Sequence, residues 1–221
     1  MSSNRVGGKK KLVIIGAGGH AKVVADTALE TGQYSKLEFR DTCYLRGLLE
    51  FMGFPVVGDC GFFPIEPEAR YFVAIGSASI RKRISCEIAA SGGVFATLIH
   101  PAASVSDFAI LESGTVVMPG AVVNAGAHIG FGSIINTCAS VDHDCLLGSY
   151  VHVAVGAHVA GSVRIEDEAW IGAGATVSNN VSICEGSVVG AGAVVVSDIE
   201  KPGTYIGVPA KLMSEDSRRR I

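Results

Sequence analysis

From Ile99 onward every sixth residue is aliphatic: Ile99, Val105, Leu111, Val117, Val123, Ile129, Ile135, Val141, Leu147, Val153, Val159, Ile165, Ile171, Val177, Ile183, Val189 and Val195, with the register ending at Lys201. A strand alternates with period two and a helix with period 3.6, so a fixed period of six marks a repeat. Two residues before these positions stand small or β-branched residues, among them Ala103, Ala109, Ala121, Ala139, Val151, Ala157 and Ala175. Each hexad therefore predicts a short strand plus a corner, with both residues facing inward. Three such sides close a triangular prism of eighteen residues per coil, stacked at about 4.8 Å. The repeat supports nearly six coils. Gly120, Asn124, Gly126, Gly130, Gly132, Asn136, Gly148, Gly156, Gly172, Gly174, Gly190 and Gly192 lie near the corners, where they are expected to supply positive φ. A β-sandwich does not hold a six-residue register.

The first hundred residues follow another pattern. Lys11 to Ile15 is a continuous apolar run that predicts a buried strand, and GAGGH then opens a helix reaching Glu30. A second strand is expected to end near Asp41, and a third to cover Tyr71 to Ile75 and close on Gly76. Ser79 to Ser91 predicts an amphipathic helix with Ile80, Ile84 and Ile88 on one face and Arg81, Lys82 and Arg83 on the other. His100-Pro101 ends this unit. The expected organisation is an α/β half-Rossmann domain over 1–98 and an all-β parallel β-helix over 99–221.

Gly16, Gly18 and Ala21 satisfy a loose dinucleotide fingerprint, in which glycines bring backbone close to phosphate at the positive end of a helix. Half a doubly wound domain suits a mononucleotide or nucleotide-sugar better than a dinucleotide. Asp41, at the end of the second strand, can accept from ribose hydroxyls or a base edge. The competing accounts are a helix cap around His20 and a solvated turn at Asp41.

Within the repeat, His128, His152 and His158 each precede an inward aliphatic residue and so face outward along a wall, whereas His143 occupies a corner between Asp142 and Asp144. A carboxylate on one imidazole nitrogen fixes the tautomer that leaves the other nitrogen as a base. The plain alternative is a solvated corner histidine. His152 follows His143 by nine residues, half a coil, so the two point away from opposite sides of one prism. To act together they must come from neighbouring chains, as in a symmetric trimer. Gly161 lies one coil above His143 and could offer an N–H to an oxyanion.

The chain has 221 residues, 48% of them hydrophobic, and a net charge of −3, a balance with no footprint for nucleic acid. No apolar run reaches membrane-spanning length, and the apolar stretch near the start is too short for a secretory signal, so no membrane association and a cytoplasmic setting are expected. Six cysteines without CxxC spacing argue for reduced thiols and no metal site, with Cys138 and Cys145 packing inside the prism. Arg218 to Arg220 is expected to be a solvated tail.

VIIGAGGHAKVV, AIGSASIRKR, the VDHD corner and the closing GVPAKLM together resemble the PglD and NeuD type of nucleotide-sugar acetyltransferase across nearly the whole chain. GVPAK marks hexapeptide acyltransferases broadly, and its combination with GAGGH narrows the likeness. The resemblance implies a left-handed coil and acetyl-CoA as co-substrate without a metal. It implies catalysis by His143, with Asp144 raising its basicity. Acetyl-CoA would contact His152, Gly161 and Ala173, and the nucleotide-linked sugar Gly18, Gly19, His20, Asp41, Thr42, Gly76 and Asn136. Members acting on UDP sugars can carry two adjacent acids where this chain has Asp41-Thr42, leaving UDP, dTDP and GDP open. The resulting expectation is N-acetylation of the C4 amine of a nucleotide-linked amino-dideoxysugar, by a homotrimer with sites between subunits, in glycan biosynthesis. Its rivals are O-acetylation of a sialic acid, a metal hydratase on the same prism, and a non-catalytic nucleotide-sugar sensor. The hydratases of the γ-carbonic-anhydrase type pair ligands five residues apart, whereas the histidine gaps here are 15, 9 and 6.

Overall fold

The computed structural model describes residues 10–61 and 63–214; the Arg218–Arg220 tail and the stretch before Lys10 lie outside these. Five strands form the first sheet: β1 (Lys10–Ile15), β2 (Tyr34–Arg40), β3 (Glu50–Phe51), β4 (Phe54–Gly58) and β5 (Ala69–Val73), in the order β3-β4-β2-β1-β5. All pair in parallel except β3 with β4. Helix α1 (Gly19–Glu30) covers one face and α2 (Ala78–Ala90) the other. Leu12, Ile14 and Phe39 bury against Val24, Ala25 and Ala28, while Val13, Ile15 and Tyr71 bury against Ile84 and Ile88. This alternation is that of a parallel sheet covered on both faces.

Three expectations for this unit need correction. The third expected strand runs over Ala69–Val73, two residues earlier than Tyr71 to Ile75. The β3–β4 hairpin was not anticipated, because its turn places Met52 at φ 55 beside Gly53 at φ 78, and a methionine there hides the turn signature. Arg81 does not face solvent with Lys82 and Arg83. Its position three residues before Ile84 and seven before Ile88 sets it on the buried stripe of α2, and it is 1% exposed, whereas Ile80 is 43% exposed.

From Leu98 the chain coils into a prism of three parallel walls. The first wall runs from Ser104–Val105 to Val194–Val195, the second from Ile110–Leu111 to Ser182–Ile183, and the third from Leu98–Ile99 upward to Val188–Val189 and the closing strands Thr204–Ile206 and Lys211–Leu212. Partners between successive coils differ by eighteen residues, as in Val123↔Val141 and Val141↔Val159, until the closing strand, where Val188 pairs with Thr204. Ala121, Ala139, Ala157 and Ala175 are fully buried inside alongside the aliphatic column. Each enclosed valine or isoleucine contributes about 1.5–3 kcal/mol of burial. Ile99 departs from this, at 38% exposed, because no coil lies below it.

Corner geometry also refines the sequence reading. From Leu111 to Val189 the positive-φ residue comes three positions after each inward aliphatic, at Gly126 (φ 75) and at non-glycines such as Cys138, Asp144 and Tyr150. Gly130, Gly148, Gly172 and Gly190 stand one position after the aliphatic residue and do not take positive φ; they are small because the next coil passes close above, a Cβ on Gly172 meeting Val189 O at 2.5 Å. Asn124 and Asn136 share that position and likewise lack positive φ. Cys145 is buried as expected, but Cys138 is exposed on its left-handed corner.

The two units share one core. Outward residues of the third wall, Leu98, Val116, Met118 and Ile134, cluster with α1 residues and are fully buried. The α/β unit therefore covers the lower coils of this wall. His152, Trp170 and Val188 continue the same outward column above.

Candidate active site

The side chains singled out in the sequence fall into two groups on opposite sides of the prism. The first stands on the corner between the first and second walls. There His143 Nδ1 lies 2.9 Å from Asp144 Oδ2, and the His143 N–H donates to Asp142 Oδ1 at 2.8 Å. Asn124 Nδ2 donates to the same Asp142 oxygen at 2.8 Å. The hydrogen bond to Asp144, then the nearby Asp142 charge, raises the His143 pKa above its ordinary 6.5. Asp144 thus fixes the Nδ1–H tautomer, leaving Nε2 as the basic atom.

Two glycines, one coil away on either side, make room for this pair. A Cβ on Gly161 would lie 2.5 Å from His143 Nε2, so the imidazole rests on bare backbone. A Cβ on Gly126 would lie 2.5 Å from Asp144 Oδ1. The imidazole remains open to solvent, with its side chain 58% exposed.

The second group lies against the third wall and the α/β unit. His152 points outward from the prism as its hexad position dictates, yet it is only 7% exposed because the first unit covers it. His20, in the first turn of α1, stands with its ring centroid 6.2 Å from that of His152. Trp170, one coil above and not singled out in the sequence, stacks on His152 at 4.9 Å. Asn136 Nδ2 lies 3.1 Å from His152 Nε2, its amide donating to the ring. His152 Nδ1 and His20 Nε2 are buried and have no hydrogen-bond partner among the described residues. Burial foremost, then the charge of Arg81, lowers the His20 pKa to about 4. Burial, then His20 and Arg81, lowers that of His152 to about 3. Both rings are neutral at physiological pH, and two orphaned buried nitrogens side by side mark a place for a ligand.

Around this pair lie the expected nucleotide-binding residues. Gly18 and Gly19 open α1 with exposed backbone. Asp41 accepts from Ala17 N–H at 2.8 Å and from Cys43 N–H at 2.8 Å, so it clamps the glycine turn while capping the short 3₁₀ helix Thr42–Arg46. Burial would raise its pKa, but these N–H bonds outweigh that and hold it low. Thr42 is exposed beside it, and Gly76 sits half-buried after β5. Ala173 is exposed on the corner between the third and first walls. Hence His143 and Gly161 form one cluster, His20, Asn136 and His152 another, and Ala173 stands on a separate corner from Gly161. Among the described residues no group of three or more His, Cys, Asp or Glu is placed to hold a metal ion, and no helix is long and apolar enough to cross a membrane.

Residues 11–88 match the PglD N-terminal domain, and residues 162–197 match the bacterial transferase hexapeptide of six repeats. The acetyltransferase domain of PglB from Neisseria gonorrhoeae FA1090 is 43% identical, with a TM-score of 0.87 over 92% of this chain and 100% of its own; a second structure of it is a complex with acetyl coenzyme A. PerB from Caulobacter crescentus, in complex with CoA and GDP-perosamine, is 39% identical with a TM-score of 0.86 over 96% of this chain and 100% of its own. GDP-perosamine N-acetyltransferase of Escherichia coli O157:H7 is 37% identical over 121 residues, 54% of this chain and 55% of that protein. The match spans about half the length of the curated relatives. The chain belongs to the PglD-type acetyltransferases, built from an N-terminal Rossmann-like domain and a left-handed hexapeptide β-helix.

Proposed function

We propose that this chain transfers the acetyl group of acetyl-CoA to the C4 amine of a nucleotide-linked amino-dideoxysugar, as a cytoplasmic homotrimer whose product feeds glycan biosynthesis. The observation that carries the reading is the imidazole of His143, tautomerically fixed by Asp144 and presented with its Nε2 over Gly161. In the proposed step the sugar amine attacks the thioester carbonyl, a C–N bond forms, the C–S bond breaks and the thiolate leaves. His143 Nε2 takes the amine proton and Asp144 stabilises the resulting imidazolium, while a backbone N–H near Gly161 meets the oxyanion.

The second group suits the two substrates. The orphaned Nδ1 of His152 and Nε2 of His20 fit polar groups of the thioester and of the nucleotide-linked sugar, 6.2 Å apart by ring centroids. Asn136, held against His152, is assigned to the sugar. The pantetheine would pass Ala173. Because His143 stands on the corner opposite the wall that carries His152, a complete site needs the corner of one chain against that wall of another. Exposed Phe108, Ile110 and Leu146 leave apolar surface beside the His143 corner for such a neighbour.

The test is acetyl transfer across GDP-, UDP- and dTDP-linked amino sugars, with sialic acid as a hydroxyl acceptor. Melting temperature is followed in parallel, since a ligand that binds the native state raises it. Thiol release with a nucleotide-linked amine supports the reading. Release only with the hydroxyl acceptor, or none with any acceptor, refutes it.

A further inference from the structure

Arg81 is the largest fully buried side chain of the described residues, and it is a cation. Its guanidinium bridges the two structural units. Nη1 donates to Ile75 O at 2.8 Å and Gly76 O at 3.0 Å, in the turn after β5; Nε donates to Gly132 O at 2.8 Å and Nη2 to Tyr150 O at 2.6 Å, both in the prism. Lys82, next along α2, pairs with Glu168 on the same side of the prism. Phe95, Phe131 and Tyr150 complete the junction edge to face, with centroids 5.0 and 5.6 Å apart.

Burying a cation against carbonyls alone is costly compared with burying a leucine of similar reach. Such a group is out of place in a junction needed only for adhesion, which the apolar contacts between α1 and the third wall already supply. What Arg81 adds is geometric. Its planar fork is the one side chain that can hold four carbonyls from two units at once, a task an ammonium cannot perform. The turn it holds carries Gly76, directly after β5.

We propose that Arg81 is a positioning residue for the nucleotide-sugar: it clamps the turn after β5 to the prism, fixing the separation between the nucleotide-binding turns and His152. This inference rests on the functional reading above. It adds a residue that the sequence pattern had assigned to the solvent face.

The experiment compares the full-length wild type with R81K by calorimetry, using GDP, UDP, dTDP and acetyl-CoA as separate probes. The expected result is a fall of ten-fold or more in affinity for the diphosphate that the wild type binds, with acetyl-CoA affinity within two-fold. Unchanged diphosphate affinity in folded R81K, or equal losses for both ligands, would overturn the proposal. So would a wild type that binds none of the three diphosphates. Should R81K not fold, the Arg81 Nε–H resonance of the wild type decides: it is expected to be protected from exchange and to shift on saturation with the diphosphate, and an unshifted signal counts against the clamp. Wild type that binds a diphosphate through Arg81 yet transfers no acetyl group would sink the catalytic reading and leave the clamp standing.

Discussion

Replacing Gly161 with alanine separates the placement of the base from the stability of the coil. Gly161 does not adopt positive φ, so alanine fits the backbone, but its Cβ would stand 2.5 Å from His143 Nε2 and 2.6 Å from Cε1. Ordinary contact begins near 3.4 Å, so the imidazole must retreat by about 0.9 Å, a displacement on the scale at which positioned groups lose about 10²-fold in rate. A hundred-fold loss corresponds to about 2.7 kcal/mol of transition-state stabilisation. The retreat itself is cheap, because the ring is an exposed side chain and can swing into water. Expected, therefore, is a drop of about 10²-fold in kcat with the melting temperature close to wild type. Thiol release gives the kinetics and thermal denaturation the stability. A G161A enzyme within a few-fold of wild-type kcat would show that the imidazole position seen here is not the working one. A loss that tracks a collapse in melting temperature would show the glycine to be structural.

Other consequences follow from the same arrangement. His143→Ala should lose roughly 10²- to 10⁴-fold in turnover, the usual worth of positioned proton transfer; activity within a few-fold of wild type would remove it from the mechanism. The base works when neutral, so the acid limb of kcat/KM should fall above pH 6.5, where the raised His143 pKa lies. D144N removes the main cause of that rise, and the limb should move to lower pH; a stationary limb would dissociate Asp144 from the base. Equal mixing of H143A and H152A chains before assembly should restore about a quarter of wild-type activity if each site joins His143 of one chain to His152 of the next. No recovery would point to sites within single chains. Finally, His20 and His152 have native pKa values of about 4 and about 3, depressed from 6.5. Between pH 6.5 and those values the unfolded chain binds protons that the native rings refuse, so stability should decline as pH falls through that window. An H20Q H152Q double variant should show a shallower decline by thermal melting, and an identical slope would show that these rings stay accessible to protons.

What was legible in the sequence, and what was not, follows from how a solenoid maps chain separation onto space. Eighteen residues always mean one coil directly above, so the stacking of Gly161 on His143 and of Asp144 on Gly126 could be located by arithmetic. The outward direction of His152 followed from its place in the hexad, and Trp170 was open to the same arithmetic, since the two pair across one ladder. The burial of His152 was not legible, because it depends on where a second unit docks, and no repeat encodes that. Asp41 illustrates the same boundary: its position at the end of β2 was foreseeable, but its binding of the Ala17 N–H arises only when the glycine turn folds back beside it.

Arg81 is a different kind of miss. The spacing 81, 84, 88 placed it on the inner stripe of α2, and only the charge argued otherwise. A long apolar stem can carry a charged head through a packed layer when carbonyls wait at the far side, and the turn after β5 together with the coil corners at Gly132 and Tyr150 provides them. Where helical periodicity and polarity disagree, periodicity reports the direction of the Cα–Cβ bond, which packing cannot reverse, while polarity reports only the cost of following it. That cost is met here by four carbonyls drawn from two units, so the residue least expected in the interior is the one that ties the turn after β5 to the prism.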